Sequence, residues 1–133
     1  MSPAPATALY AAILALVFIA LSARVILRRR AARVSIGAGG DAGLERRARV
    51  HANFAEYVPL ALVLLLLAEL SGSPAPLLHV AGIALVLGRV AHAVGLSRVP
   101  EDFRLRVAGM VATLTVILVL ALALLVRGLV RGP

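Results

Sequence analysis

The chain has 133 residues, 62% of them hydrophobic, and a formal net charge of +8 in which every basic side chain is arginine. That length points to one domain, and the hydrophobic share lies so far above the roughly 45–50% of soluble domains that an ordinary soluble fold is excluded. Few aromatics and long apolar runs argue against nucleic acid as the partner of the charge, and the absence of cysteine removes disulfides, thiolate catalysis and cysteine-held metal from the chain's own chemistry.

The charge instead reads as orientation and lipid-headgroup contact. Residues 5–23 are uncharged, and Arg24 to Arg33 then supply five arginines. This predicts a first transmembrane helix over about residues 7–27, since a span needs ~20 residues. A cleaved signal peptide, with Ala20 and Ser22 as a weak processing site, is the rival reading, but such peptides carry their positive charge before the apolar core rather than after it. Residues 34–43 are glycine-rich. They contain no G-x-G-x-x-G, no lysine follows and no strand precedes, so a flexible connector is expected rather than a phosphate loop.

The second span is predicted over residues 54–70, led in by a charged stretch from Glu45 to Pro59. As helix, this stretch puts Arg49, Asn53 and Glu56 at i, i+4 and i+7 on one face. A cation, an amide and a carboxylate there form either a cradle for a small zwitterion or a solvated stripe in which Arg49 and Glu56 pair to ease insertion. An acid at the threshold of a membrane helix is expensive and tends to be functional. Pro59 frees the carbonyl of Ala55, so a mild kink is expected beside the stripe. Glu69, before the turn at residues 71–76, reads as a solvated cap.

The third span, about residues 76–96, carries Gly82, Gly88 and Gly95 as small surfaces for close helix approach. Arg89 and His92 are three apart and share a face. An arginine that deep costs roughly 2.5–3.5 kcal/mol unless it snorkels or pairs; Glu56 is its natural partner, with snorkelling as the alternative. His92 fits either a plain interfacial or a functional histidine. His51, His79 and His92 do not make a ligand cluster, so no metal site is expected. After a short loop with Arg98, Glu101 and Asp102, Arg104 and Arg106 open a fourth span over residues 107–126, and Arg127 and Arg131 follow it.

The arginine-rich loops are the first and third, which by the positive-inside rule puts both termini outside and the basic loops in the cytoplasm. The candidate residues then gather at the cytoplasmic ends of spans two, three and four. An all-α, integral membrane, four-helix up-down bundle is the expected fold.

Arg49, Asn53, Glu56, Tyr57 and Pro59, spaced as Arg, three residues, Asn, two residues, Glu-Tyr, one residue, Pro, resemble the signature of the MAPEG family, the membrane-associated proteins of eicosanoid and glutathione metabolism. Gly88-Arg89-Val90-Ala91-His92-Ala93-Val94 is similar to the third-helix segment of its prostaglandin E synthase members. Residues 29–35 resemble the end of the first helix in a leukotriene synthase of the family, and the length and glycine-rich loop look most like its small bacterial branch. The resemblance covers nearly the whole chain.

It implies a homotrimer in a bacterial inner membrane, with glutathione as bound co-substrate between subunits, open to the cytosol, and no metal. Arg49, Asn53, Glu56 and Tyr57 would be glutathione contacts, Glu56 receiving the ligand's amino group, with Arg89 and His92 joining them. Arg106 best matches the arginine that stabilises the thiolate, with Arg104 its rival because the preceding loop differs in length. Arg28 or Arg29 would reach in from a neighbouring subunit. Leu96 departs from the pattern, standing where the animal enzymes carry a second tyrosine. The implied activity is glutathione transferase or peroxidase chemistry on a lipophilic small molecule from the bilayer, in contact with membrane lipids and without nucleic acid. A non-catalytic scaffold of the same fold and a small multidrug exporter subunit are the competing functions.

Overall fold

The computed structural model describes residues 4–131 and contains four helices: α1 (Pro5–Ala32), α2 (Ala42–Leu70), α3 (Ala75–Ser97) and α4 (Phe103–Arg131). All four are long and apolar enough to cross a membrane, and no strand occurs among the described residues.

Each helix overruns its predicted apolar window, α2 most of all, which begins at Ala42 rather than near Phe54. Hydropathy marks only what suits hydrocarbon. The charged first turns of α2 are held by local chemistry instead: Asp41 accepts a hydrogen bond from the Leu44 amide (2.8 Å) as N-cap. Asp102 does the same for α4, accepting from the Leu105 amide at 3.1 Å. α1 opens on a proline, whose missing N–H costs nothing in the first turn. α2 runs unbroken through Pro59.

The first loop is not the loose connector its glycines suggest. Arg28 forms an ion pair with Asp41 (2.8 Å), and Arg29 Nη1 donates to the Gly37 carbonyl (2.7 Å). Asp41 therefore ends one loop and starts one helix while tying both to α1. The Leu44 amide and the Arg28 guanidinium hold its carboxyl below the usual aspartate range.

α1 packs on α2 and α3, α4 packs on α3 and α2, and α2 crosses α3, so α1 and α4 occupy opposite corners. Tyr10, Leu14, Phe54, Val58, Ala61, Leu65, Leu85 and Leu120 fill the centre. The α2 contribution repeats at i, i+4, i+7 and i+11, one stripe of a helix. Leu16, Leu87 and Leu118 on the outside are well exposed, as a bilayer solvent permits.

The α3–α4 pair sets the site. A methyl at Gly109 would collide with the Gly88 carbonyl and the His92 backbone, and one at Gly95 would collide with the Arg106 amide and the Asp102 carbonyl. These glycines let the two backbones touch. They fix the start of α4 against the end of α3, which places Arg106 beside His92.

At the opposite end, Glu69 is no solvated cap. Its carboxylate accepts the Ala6 (2.9 Å) and Thr7 (2.7 Å) amides, closing the N-terminus of α1. Tyr10 Oη and His79 Nδ1 share a hydrogen bond of 2.9 Å. Arg127 on α4 donates to the carbonyls of Ser71 and Gly72 in the turn between α2 and α3.

Candidate functional site

At the arginine-rich end a cavity of about 270 Å³ opens between α2, α3 and α4. Arg49 and Asn53 come from α2, His92 and Leu96 from α3, and Arg106 from the first turn of α4. The helix period explains the α2 side. Arg49, Asn53, Glu56 and Tyr57 lie away from the stripe of Phe54, Val58 and Ala61 that is spent on the core.

Arg89, one turn before His92 on α3, is 1% exposed and is not among the residues that line the cavity. The expected pairing with Glu56 does not occur. Asn53 takes that place, its Oδ1 accepting from Arg89 Nη2 at 3.0 Å, and the Tyr57 ring lies 5.9 Å from the guanidinium carbon. The reason is rotational: Glu56 lies on the exposed face of α2, about 200° around the helix from the buried Phe54. Snorkelling does not occur either, because the guanidinium stays inside. Its Nε and Nη1 are buried without a hydrogen-bond partner. A buried, incompletely satisfied cation is costly, commonly more than the ~1–3 kcal/mol of a neutral orphan.

Glu56 is exposed and has no ion-pair partner among the described residues. The two arginines that open α4 separate clearly. Arg106 is half-buried and lines the cavity, whereas Arg104 is exposed and does not. Arg106 Nη1 also contacts Glu101 (3.1 Å), and among the described residues the other donors of its five-donor fork have no hydrogen-bond partner. Arg28 and Arg29 are engaged with their own loop and do not line this cavity. Arg29 instead shares a separate shallow surface with Arg49.

The histidines stand apart. His51 Nε2 meets Ser22 Oγ at 3.0 Å, His79 meets Tyr10, and His92 faces the cavity. Sequence reasoning missed the outer wall, made of Phe103, Val107, Met110 and Val111. Its signal was present: with Arg106 these residues repeat at i, i+3, i+4, i+7 and i+8 from Phe103, one helical face. Gly109 was missed as well.

Known proteins resemble the chain over most of its length. The model of the MAPEG family matches residues 7–126. Inner membrane protein YecN of Escherichia coli K12 is 39% identical over 117 residues, covering 88% of each chain. YecN of Escherichia coli O6:H1 matches with the same figures.

Proposed function

The chain belongs to the MAPEG family, and from that premise we propose that it is an inner-membrane protein that binds glutathione at the arginine-rich end and activates its thiol toward lipophilic electrophiles or hydroperoxides. The observation that carries this reading is the cavity that gathers Arg49, Asn53, His92 and Arg106, with the buried, incompletely partnered Arg89 bonded to its Asn53. The Arg49 and Arg106 guanidiniums in that lining suit a ligand carboxylate or peptide carbonyl, because a guanidinium gains most from a planar, bidentate acceptor.

Two further features support an assembled site, a homotrimer with the ligand between subunits. The cavity, at about 270 Å³, falls just short of the roughly 300–1,000 Å³ of ligand pockets. Arg49 and Glu56 are exposed beside it, where a second copy would supply the missing wall. Glu56 then receives the ligand's ammonium group, and Tyr57 stacks beneath. The arginine-rich end faces the cytoplasm in this arrangement, in keeping with the positive-inside rule.

Arg106 carries the chemistry. A free thiol has a pKa of about 8.5, so little of it is thiolate at neutral pH. A guanidinium beside the sulfur favours the anion. The thiolate forms a bond to the electrophilic carbon as the leaving group departs, or attacks a hydroperoxide oxygen as the O–O bond breaks. The test is the ultraviolet thiolate absorbance on adding glutathione to purified protein. Arg106→Ala is expected to abolish the signal and Arg104→Ala to leave it intact; an unchanged Arg106→Ala signal overturns the assignment.

A second reading has an observation of its own. Leu96 puts an apolar side chain in the cavity wall where the resemblance expects a tyrosine, which favours a scaffold that binds glutathione without turnover. Conjugation of a chlorinated aromatic electrophile separates the two. The exporter reading is weaker, because Glu56 is exposed one turn beyond Asn53 and does not line the cavity, whereas a transporter wants its acid facing an alternating-access cavity.

A further inference from the structure

On the other side of α3, away from the cavity, a groove of about 400 Å³ runs between α1 and α3. We infer that it is a binding site for an anionic phospholipid, one acyl chain lying in the groove and the headgroup phosphate held at its arginine-rich mouth.

The groove has two chemically distinct parts. Val17, Leu21, Val90 and Val94 make its walls, and Arg24, Ser97 and Arg98 close one end. From Val90 to Ser97 the α3 side extends ~10 Å, which suits the upper part of an acyl chain. Neither α2 nor α4 contributes to the lining, so the groove is separate from the candidate glutathione site and does not rest on that reading.

The mouth is built rather than incidental. Arg24 Nη2 donates to Ser97 Oγ at 3.2 Å, so its guanidinium is held across the cleft between α1 and α3. Arg47 Nη1 reaches over from α2 to the Arg24 carbonyl (3.3 Å), and Arg46 Nη1 reaches the Leu96 carbonyl (3.0 Å). Arg24 and Arg98 thus line the opening, and Arg46 and Arg47 bond to backbone carbonyls of residues at or next to it. Among the described residues the carboxylate pairing with any of them is Asp102, 3.0 Å from Arg98. Arg24, Arg46 and Arg47 each spend an N–H on protein oxygen and keep further donors for a ligand.

Phosphate is the anion such a cluster fits best, through parallel N–H donors and at the depth where headgroups sit. A free phosphate ester would use the rim and gain nothing from the apolar trough. A zwitterionic lipid offers the same tail with no net charge. An anionic phospholipid complements both parts.

Native mass spectrometry of the full chain in mild detergent tests this, with added phosphatidylglycerol, phosphatidylcholine or, as a phosphate ester without tails, glycerol 3-phosphate. Expected is one phosphatidylglycerol per chain, held at least tenfold more tightly than phosphatidylcholine and not displaced by glycerol 3-phosphate. Arg24→Gln with Arg98→Gln should lose that preference. Ala20→Phe, an exposed lining position whose change fills the trough without altering charge, should lose the lipid. Because Ala20 lies outside the core, this variant decides the matter if the double variant does not fold. Equal retention of the two lipids, displacement by glycerol 3-phosphate, or retention of phosphatidylglycerol in Ala20→Phe overturns the proposal. So does a wild type that holds no lipid but whose oligomeric state shifts with Ala20→Phe, which would assign the groove to a second copy.

Discussion

The two ends of the bundle treat their polar groups in opposite ways. Away from the arginine-rich loops, Glu69 closes the N-terminus of α1, His79 meets Tyr10, and Arg127 clasps the turn between α2 and α3. At the other end Arg89 is buried with two nitrogens unpartnered, and Glu56 is exposed without an ion-pair partner. The first end is not perfect, since the hydroxyls of Thr7 and Ser73 are buried and unpartnered. A hydroxyl orphan nonetheless costs less than a charged one. The contrast teaches that one end is fastened largely by its own residues, while the other keeps charged groups unsatisfied, as the proposed ligand and further copies would require.

Arg89 offers the largest test of this contrast. If its donors await a ligand, Arg89→Met removes a buried charge that the ligand-free protein does not fully satisfy. Glutathione affinity should then fall at least ~10-fold, the loss of one charge-assisted hydrogen bond or more. Thermal stability without ligand should hold or rise, as when buried ionic groups elsewhere give way to apolar ones of similar size. Calorimetric titration and a melting curve give both numbers. A large drop in ligand-free stability would move Arg89 into the fastening class and break the comparison.

Glu69 is the mirror image. Glu69→Ala unmakes a double cap on α1, for which ~1–2 kcal/mol is the expected loss of stability. Glutathione binding, at the far end of the bundle, should not change. A melting curve beside a binding isotherm checks the pair, and weakened binding in this variant would show that the two ends are coupled.

Much of this was legible in the sequence, and what was not has physical causes. Four apolar runs separated by turns can satisfy their backbones in hydrocarbon only as helices, so the bundle could be read directly. The stripe of Arg49, Asn53 and Glu56 was readable from the 3.6-residue period. The partner of Arg89 was not, because charge complementarity named Glu56 while the rotation of α2 against α3 presents Asn53. Glycine spacing on α3 announced a close contact, but only the assembled pair shows that Gly109 and Gly95 seat Arg106 beside His92. Glu69 and the first loop were misjudged for one shared reason. A polar residue at a helix end looks solvated until the element it caps is brought to it.

A smaller effect is expected from Glu101→Gln. The carboxylate contacts Arg106 through a half-exposed pair, a geometry worth ~0.2–1 kcal/mol. Removing the negative charge leaves more of the guanidinium's field for the bound sulfur. The thiolate fraction at fixed pH should rise by less than about fivefold, read as a shift of the ultraviolet titration midpoint to lower pH. A shift in the other direction would mean that Glu101 orients Arg106 more than it attenuates it.

The smallest effect concerns the fastening that the arginine-rich end does possess, the tie from α1 through Arg28 and Asp41 to α2. The Asp41 carboxyl is held below its ordinary value, first by the Leu44 amide and then by the Arg28 guanidinium. A carboxyl with a lowered folded-state pKa contributes its stability above the unfolded value, ~3.9 for aspartate, and loses it as the pH falls through the lower folded value. The melting temperature of the wild type should therefore exceed that of Asp41→Asn by a constant margin from pH 7 to about 5, and the margin should close only below about pH 4. A margin that instead varies between pH 5 and 7 would point to a different titrating group, and the first loop would then lose its place as a fastening of the open end.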